Sequence, residues 1–198
     1  FAFEKKIIDS EWFRSRFLAA EELRRLNGYG ENTETTGYRL LYGESDGVPG
    51  LVVDRFDKTL VFQIATAGTD SFRNLIVPLL ADIFKPETII ERSDMISRRE
   101  EGLEEIKKVH IGSLPEQAIF SENGLRFAAD PWNGQKTGFF LDQKETRRAI
   151  RQLSKGRRIL NLFSYSGSFG VAAIIGGGLS VHNVDSSAEA LRLSHLNG

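Results

Sequence analysis

The segment with the most chemical promise runs from Arg158 to Ser187. An apolar run, Arg158-Ile-Leu-Asn-Leu-Phe163, leads into the small-residue turn Ser164-Tyr-Ser-Gly-Ser-Phe-Gly170, and a helical pattern follows. Small residues at a strand-to-helix turn let backbone N–H groups come close to a ligand, and the helix N-terminus favours negative charge. Asp185 closes the next apolar run, 18 residues after Gly167. An acid about 20 residues past such a turn, ending the second strand, is placed to accept hydrogen bonds from ribose hydroxyls. The spacing therefore suits an adenosine-containing ligand at the carboxyl ends of adjacent strands. The turn is not G-x-G-x-x-G, because only Gly167 and Gly170 fit a glycine-rich pattern. That weakens a pyrophosphate-binding reading and suits a ligand whose amino-acid end lies along the loop. On spacing alone, a plain strand–turn–helix with Asp185 as an N-cap is an equal alternative.

A second candidate lies upstream, at Asn133-Gly-Gln-Lys-Thr-Gly-Phe-Phe-Leu-Asp-Gln143. Gly134, Thr137 and Gly138 permit tight backbone, and Lys136 could meet a carboxylate. Asp142 and Gln143 could bond adenosine groups or cap the next helix. Phe139 and Phe140 could stack on an adenine, although core packing is the readier role for either alone. Asp46 and Asp54, flanking Pro49, read as turn residues. The basic set Arg147, Arg148, Arg151, Lys155, Arg157 and Arg158 suits a solvated helix face better than RNA phosphates. Trp132 beside Pro131 reads as a packing residue, with base stacking as its alternative.

The elements that must position these residues are legible from periodicity. Ser10–Leu26 predicts a helix with Ser10 as N-cap and Trp12, Phe13, Phe17, Leu18, Leu23 and Leu26 along one stripe. Short strands follow at 38–42, 51–56 and 59–64, the last two forming a hairpin about Asp57-Lys58. A helix is expected over 72–84, a strand over 88–91, and a partly helical charged segment over 92–108. Residues 118–127 read as a second hairpin whose Asn123-Gly124 tip suits a type I′ turn. A helix over 142–153 should carry Asp142 as N-cap and Glu145 in its first turn. Strand 158–163, helix 168–175, strand 179–184 and helix 187–196 then alternate, which predicts a parallel sheet with crossover helices. The expected fold class is α/β: a helix and linker over 1–34, a small α+β domain over 35–117, and the first part of a Rossmann-like sheet over 118–198.

Bulk properties narrow the function. Of 198 residues, 40% are hydrophobic and 27% charged, an ordinary globular balance able to bury a core. The net charge of −1 excludes a global field attracting nucleic acid or anionic membrane. There is no cysteine, so disulfides, thiolate metal sites and thiol nucleophiles are excluded within these residues. His110, His182 and His195 are scattered, and no metal site is expected. No run approaches the roughly 18 apolar residues of a membrane span, and the start is not a secretory signal. A cytoplasmic protein is expected, and its abrupt ends suggest part of a longer chain.

Asn161-Leu-Phe-Ser-Tyr-Ser-Gly-Ser-Phe-Gly170 resembles the first cofactor-binding motif of class I methyltransferases, in the variant of the ribosomal-RNA cytosine-C5 methyltransferases with an N-terminal PUA domain. Val184-Asp185-Ser-Ser-Ala-Glu-Ala-Leu191 resembles their second motif. The segment 133–143 is similar to one they carry before the core, and Gly43-Glu-Ser-Asp-Gly-Val-Pro-Gly-Leu-Val-Val-Asp54 resembles the opening of their central domain. The resemblance covers residues 38–198, with the four motifs in order. It implies S-adenosylmethionine as cofactor, held by Lys136, Thr137, Gly138, Phe139, Asp142, Gln143, Asn161, Phe163, Ser164, Tyr165, Ser166, Gly167, Asp185 and Ser186. It also implies RNA, most naturally ribosomal, as the partner of the full-length protein, and leaves a homodimer open. The chemistry implied is thiolate attack on cytosine C6 followed by methyl transfer to C5. No cysteine is present to perform it, so the resemblance carries cofactor residues but no catalytic residue onto this sequence, which is expected to be inactive by itself. An NAD-type oxidoreductase with a degenerate turn, or a non-catalytic RNA-binding module, are the alternatives.

Overall fold

The computed structural model describes residues 7–198, which form two compact units. The first ends at Pro115 and the second runs Glu116–Gly198. In the first unit, helix α1 (Ser10–Leu26) is followed by strands β1 (Gly37–Tyr42), β2 (Leu51–Phe56) and β3 (Thr59–Ile64). Then come a single turn α2 (Ala67–Asp70), helix α3 (Arg73–Phe84), strand β4 (Thr88–Ser93), a single turn α4 (Ser97–Glu100) and strand β5 (Ile106–Ile111). The strands form one sheet in the order β1-β2-β3-β4-β5. Only β3 and β4 run parallel, because α3 provides the crossover that such a pair needs.

Helix α1 belongs to this core and is not set apart with a linker over residues 1–34. Phe13 and Phe17 are fully buried with Leu40, Leu51, Phe62 and Ile76. Its N-cap is Asp9, not Ser10: the Asp9 carboxylate accepts the Trp12 N–H at 2.9 Å. The charged stretch expected to be partly helical holds only one helical turn, then β5. Its alternation is interrupted by Lys107-Lys108 and by a register slip against Ile89 and Ile90 that skips His110. The Gly43–Asp54 motif is structural. Asp46 takes a bidentate pair from Arg24 of α1 at 2.5 and 2.7 Å, and buried Asp54 takes one from Arg39.

The second unit opens with the antiparallel hairpin β6 (Ala118–Glu122) and β7 (Leu125–Ala129). Asn123 and Gly124 both have positive φ, 51° and 74°, as a type I′ turn requires. After a loop come helix α5 (Lys144–Leu153), strand β8 (Arg158–Leu162), helix α6 (Ser168–Ile175), strand β9 (Ser180–Val184) and helix α7 (Ala188–Asn197). Strands β8 and β9 are parallel, with Asn161 opposite Asn183. The architecture is mixed α/β.

Arg147 does not join a solvated basic face. It is buried on α5, donates to Glu122 at 2.7 and 2.5 Å and to the Phe140 carbonyl at 3.0 Å, and lies over the Phe139 ring. Asp142 does not cap α5, because a 3-10 turn over Leu141–Gln143 precedes the helix and no side chain caps it. The Asp142 carboxylate instead takes the Lys136 ammonium at 3.3 Å.

Candidate cofactor site

A cleft of about 590 Å³ opens at the carboxyl ends of β8 and β9. This is where open α/β sheets take ligands, since loops diverge and helix N-termini converge there. Its walls include Phe163 and Tyr165 from the turn after β8, Asp185 and Ser186 after β9, and Asn133, Gly134 and Phe140 from the upstream loop. The two segments singled out in sequence therefore meet at one site.

Asp185 is the best-defined group. Its Oδ2 accepts the Tyr165 N–H at 2.8 Å and its Oδ1 the Ser187 N–H at 2.9 Å. These backbone donors, Ser187 first and then Tyr165, hold its carboxyl below the ordinary aspartate range. A carboxylate has about four acceptor positions, so it can still accept from a ligand hydroxyl after these bonds. The loop it braces is conformationally costly: Phe163 and Tyr165 both have positive φ, at 55° and 46°. Bulky residues held there are usually over-determined by their surroundings. For Tyr165 those surroundings are visible. Its hydroxyl accepts the Gln135 N–H at 3.0 Å and donates to the Gly138 carbonyl at 3.2 Å, while Phe140 meets its ring edge-on. Gly134 has no room for a Cβ beside that hydroxyl and the Asp130 carbonyl. Phe163 is 91% exposed, so its ring is free to lie against a ligand.

Other sequence candidates do different work. Phe139 is buried against Phe120, Phe127 and Arg147, and is a core residue, not an adenine platform. Thr137 is fully buried, and Gly138 is tight against Asp130 and Pro131. Asn161 donates to Asn183, tying β8 to β9. Gly167 and Gly170 are packed tightly: a Cβ on Gly167 would collide with Ser194, and one on Gly170 with Asn183. Lys136, Asp142 and Gln143 lie outside the cleft walls, with Lys136 4.6 Å from the Phe140 ring centre. Ser164 and Ser166 are buried, and their hydroxyls have no hydrogen-bond partner among the described residues. Sequence reasoning did not single out Asp130, Glu189, Ala190 and Leu193 as site residues. All four line the cleft, and the last three lie on α7 just past Asp185 on the side facing β9.

An acid beside a rim of aromatic and apolar side chains fits a nucleoside bearing a short polar chain. The absent glycine cradle does not fit a diphosphate. Among the described residues, no group of three or more His, Asp or Glu could hold a metal ion.

Residues 109–197 match the family described as S-adenosylmethionine-dependent methyltransferase. Among its relatives is Ribosomal RNA large subunit methyltransferase I of Aeromonas hydrophila, 42% identical over 196 residues, covering 98% of this chain and 49% of the relative. The protein of the same name in Erwinia tasmaniensis is 39% identical over 191 residues, covering 96% and 48%. The chain thus spans about half the length of the curated relatives it matches. A Streptococcus mutans structure described as an S-adenosylmethionine-dependent methyltransferase superposes with a TM-score of 0.84 at 25% identity, covering 98% of this chain and 50% of that one. Another, of a methyltransferase complexed with S-adenosylhomocysteine, gives 0.83 at 25%, covering 98% and 49%.

Proposed function

We propose that the chain binds S-adenosylmethionine in the cleft between the β8 and β9 loops, in a cytoplasmic enzyme that methylates large-subunit ribosomal RNA at cytosine C5. The observation that carries this is the meeting of Asp185, Phe163, Tyr165 and the 130–140 loop around one cavity of about 590 Å³. In this reading Asp185 accepts the ribose hydroxyls, Phe163 and Phe140 border the adenine, and Tyr165 keeps the loop in shape. The cofactor supplies an electrophilic methyl group on sulfonium sulfur. The side chains of this cleft orient it and exclude water; they do not act on the base. C5 transfer needs a nucleophile that adds to the ring and leaves again, and none is assigned within these cysteine-free residues. The names of the relatives support the ribosomal-RNA substrate, and the motif resemblance supports the C5 position.

Calorimetry with S-adenosylhomocysteine tests the reading. Binding is expected, with Asp185→Ala weakening it by about 1–3 kcal/mol, the cost of unpairing hydrogen bonds to a charged acceptor. Circular dichroism separates that loss from loss of fold. Binding of NAD instead, or unchanged affinity in the variant, would overturn the assignment of the cleft. Labelled methyl transfer to deproteinised large-subunit RNA by the full-length protein, with the modified base identified by mass spectrometry, tests the substrate.

A further inference from the structure

A second cleft, of about 440 Å³, lies in the first unit beside α3 and the edge strand β5. Its walls include Arg73, Asn74, Lys108 and His110, with Glu91 at its floor. Glu91 is fully buried on β4, an expensive position for a carboxylate unless it is matched. His110 meets its Oε2 at 2.8 Å and the Arg73 guanidinium lies 3.3 Å from its Oε1. Arg73 also pairs with Asp70, which takes buried Arg98 at 2.9 Å. Along this line Arg98 and Arg73 offset Asp70 and Glu91, so the Lys108 ammonium is the surplus charge and the His110 imidazole stands beside it.

Both groups line the cleft. The register slip that skips His110 is the device that turns an edge-strand side chain, and such bulges recur beside binding sites. The His110 ring is fixed on two sides, by Glu91 and by the Phe62 ring at 5.5 Å, and its Nδ1 makes no hydrogen bond among the described residues. Lys108 is exposed and makes no ion pair among the described residues. A held imidazole, a free ammonium and a guanidinium edge around a cavity of this size suit a tetrahedral oxyanion with part of the group attached to it.

We infer that this cleft is a phosphate-binding site that takes a backbone phosphodiester of RNA. The inference rests on the proposed function only for the source of the phosphate; the site lies in the first unit, apart from the cleft assigned to the cofactor. Fluorescence anisotropy of a labelled large-subunit RNA stem–loop, with the full-length protein at several salt concentrations, tests it. Lys108→Gln leaves the buried pairs intact. It should weaken binding several-fold and reduce the slope of log affinity against log salt by about 1, the signature of one lost phosphate contact. His110→Gln, whose amide can still donate to Glu91, should weaken binding further. An unchanged slope in Lys108→Gln would overturn the inference. So would thermal protection by millimolar inorganic phosphate that Lys108→Gln abolishes while RNA binding is unaffected, since the site would then serve a free anion. Calorimetry with S-adenosylhomocysteine on the same variant should show no change. Loss of cofactor binding in the unsubstituted protein would sink the cofactor assignment while leaving the salt slope to decide this one.

Discussion

Replacing Arg147 by Met should destabilise the second unit severely, although the change conserves size and helix propensity. The Arg147 and Glu122 side chains are each 2% exposed and bonded in a bidentate pair at 2.7 and 2.5 Å. The guanidinium also serves the Phe140 carbonyl at 3.0 Å and lies 4.8 to 6.0 Å from the rings of Phe139, Phe169 and Phe127. Methionine fills the aromatic cage but strands the Glu122 carboxylate in it. Removing one member of a buried pair costs about 3–5 kcal/mol, a large share of the roughly 5–15 kcal/mol that holds a domain together. Glu122→Leu with Arg147→Met removes the stranded charge, and replacing both by apolar groups is often close to neutral. The double variant should therefore recover most of the loss, with a coupling energy of about 2 kcal/mol or more. Urea unfolding followed by circular dichroism, on the two single variants and the double, gives the cycle. A cost below about 1 kcal/mol for Arg147→Met, with no coupling, would refute the reasoning and return Arg147 to a solvated surface.

Tyr165→Phe removes the hydroxyl that joins Gln135 to Gly138 and should cost about 1 kcal/mol of stability, with weaker S-adenosylhomocysteine binding by calorimetry. An affinity equal to the unsubstituted chain would show that the loop is held by other means. Gly167→Ala puts a side chain at φ +70° against Ser194, so a loss of at least about 2 kcal/mol in thermal unfolding is expected. Ser194→Ala in the same chain should relieve part of it. Asp82 is held down to about 2 by hydrogen bonds from Lys85 first and Arg14 second. Its pKa is depressed by folding, so its contribution to stability is complete above the unfolded value near 4 and is lost as pH falls through about 2. Carbon-detected NMR titration should find that midpoint, and Lys85→Ala should raise it; a midpoint near 4 in the unsubstituted chain would contradict the pairing.

How much of this was written in the sequence depends on the range of the interaction concerned. Strand pairs, the Asn123-Gly124 turn and the β8–α6–β9 alternation rest on local periodicity and turn chemistry, so they read directly. The candidate segment 158–187 was found because strand, small turn, strand and acid must follow one another along the chain, and 133–143 by its tight-backbone residues and its resemblance to a family motif. Glycine at 167 and 170 was legible, but its reason was not. The steric demand visible here comes from Ser194 and Asn183, 27 and 13 residues further on. Arg147 looks like a surface cation, and Phe139 stays open between core packing and binding, because sequence shows type without environment. Only the hairpin folded against α5 brings Glu122 within 2.5 Å of Arg147 and closes three rings around it. Likewise β5 escaped notice because Lys107-Lys108 breaks the period of two that marks a strand, and its slip at His110 is not written in the sequence. That slip has meaning only once Glu91 and Phe62 stand beside it. Local order fixed which residues could reach a cofactor; long-range packing decided which of them are free to touch it, because a side chain's availability is set by the neighbours that bury or bond it.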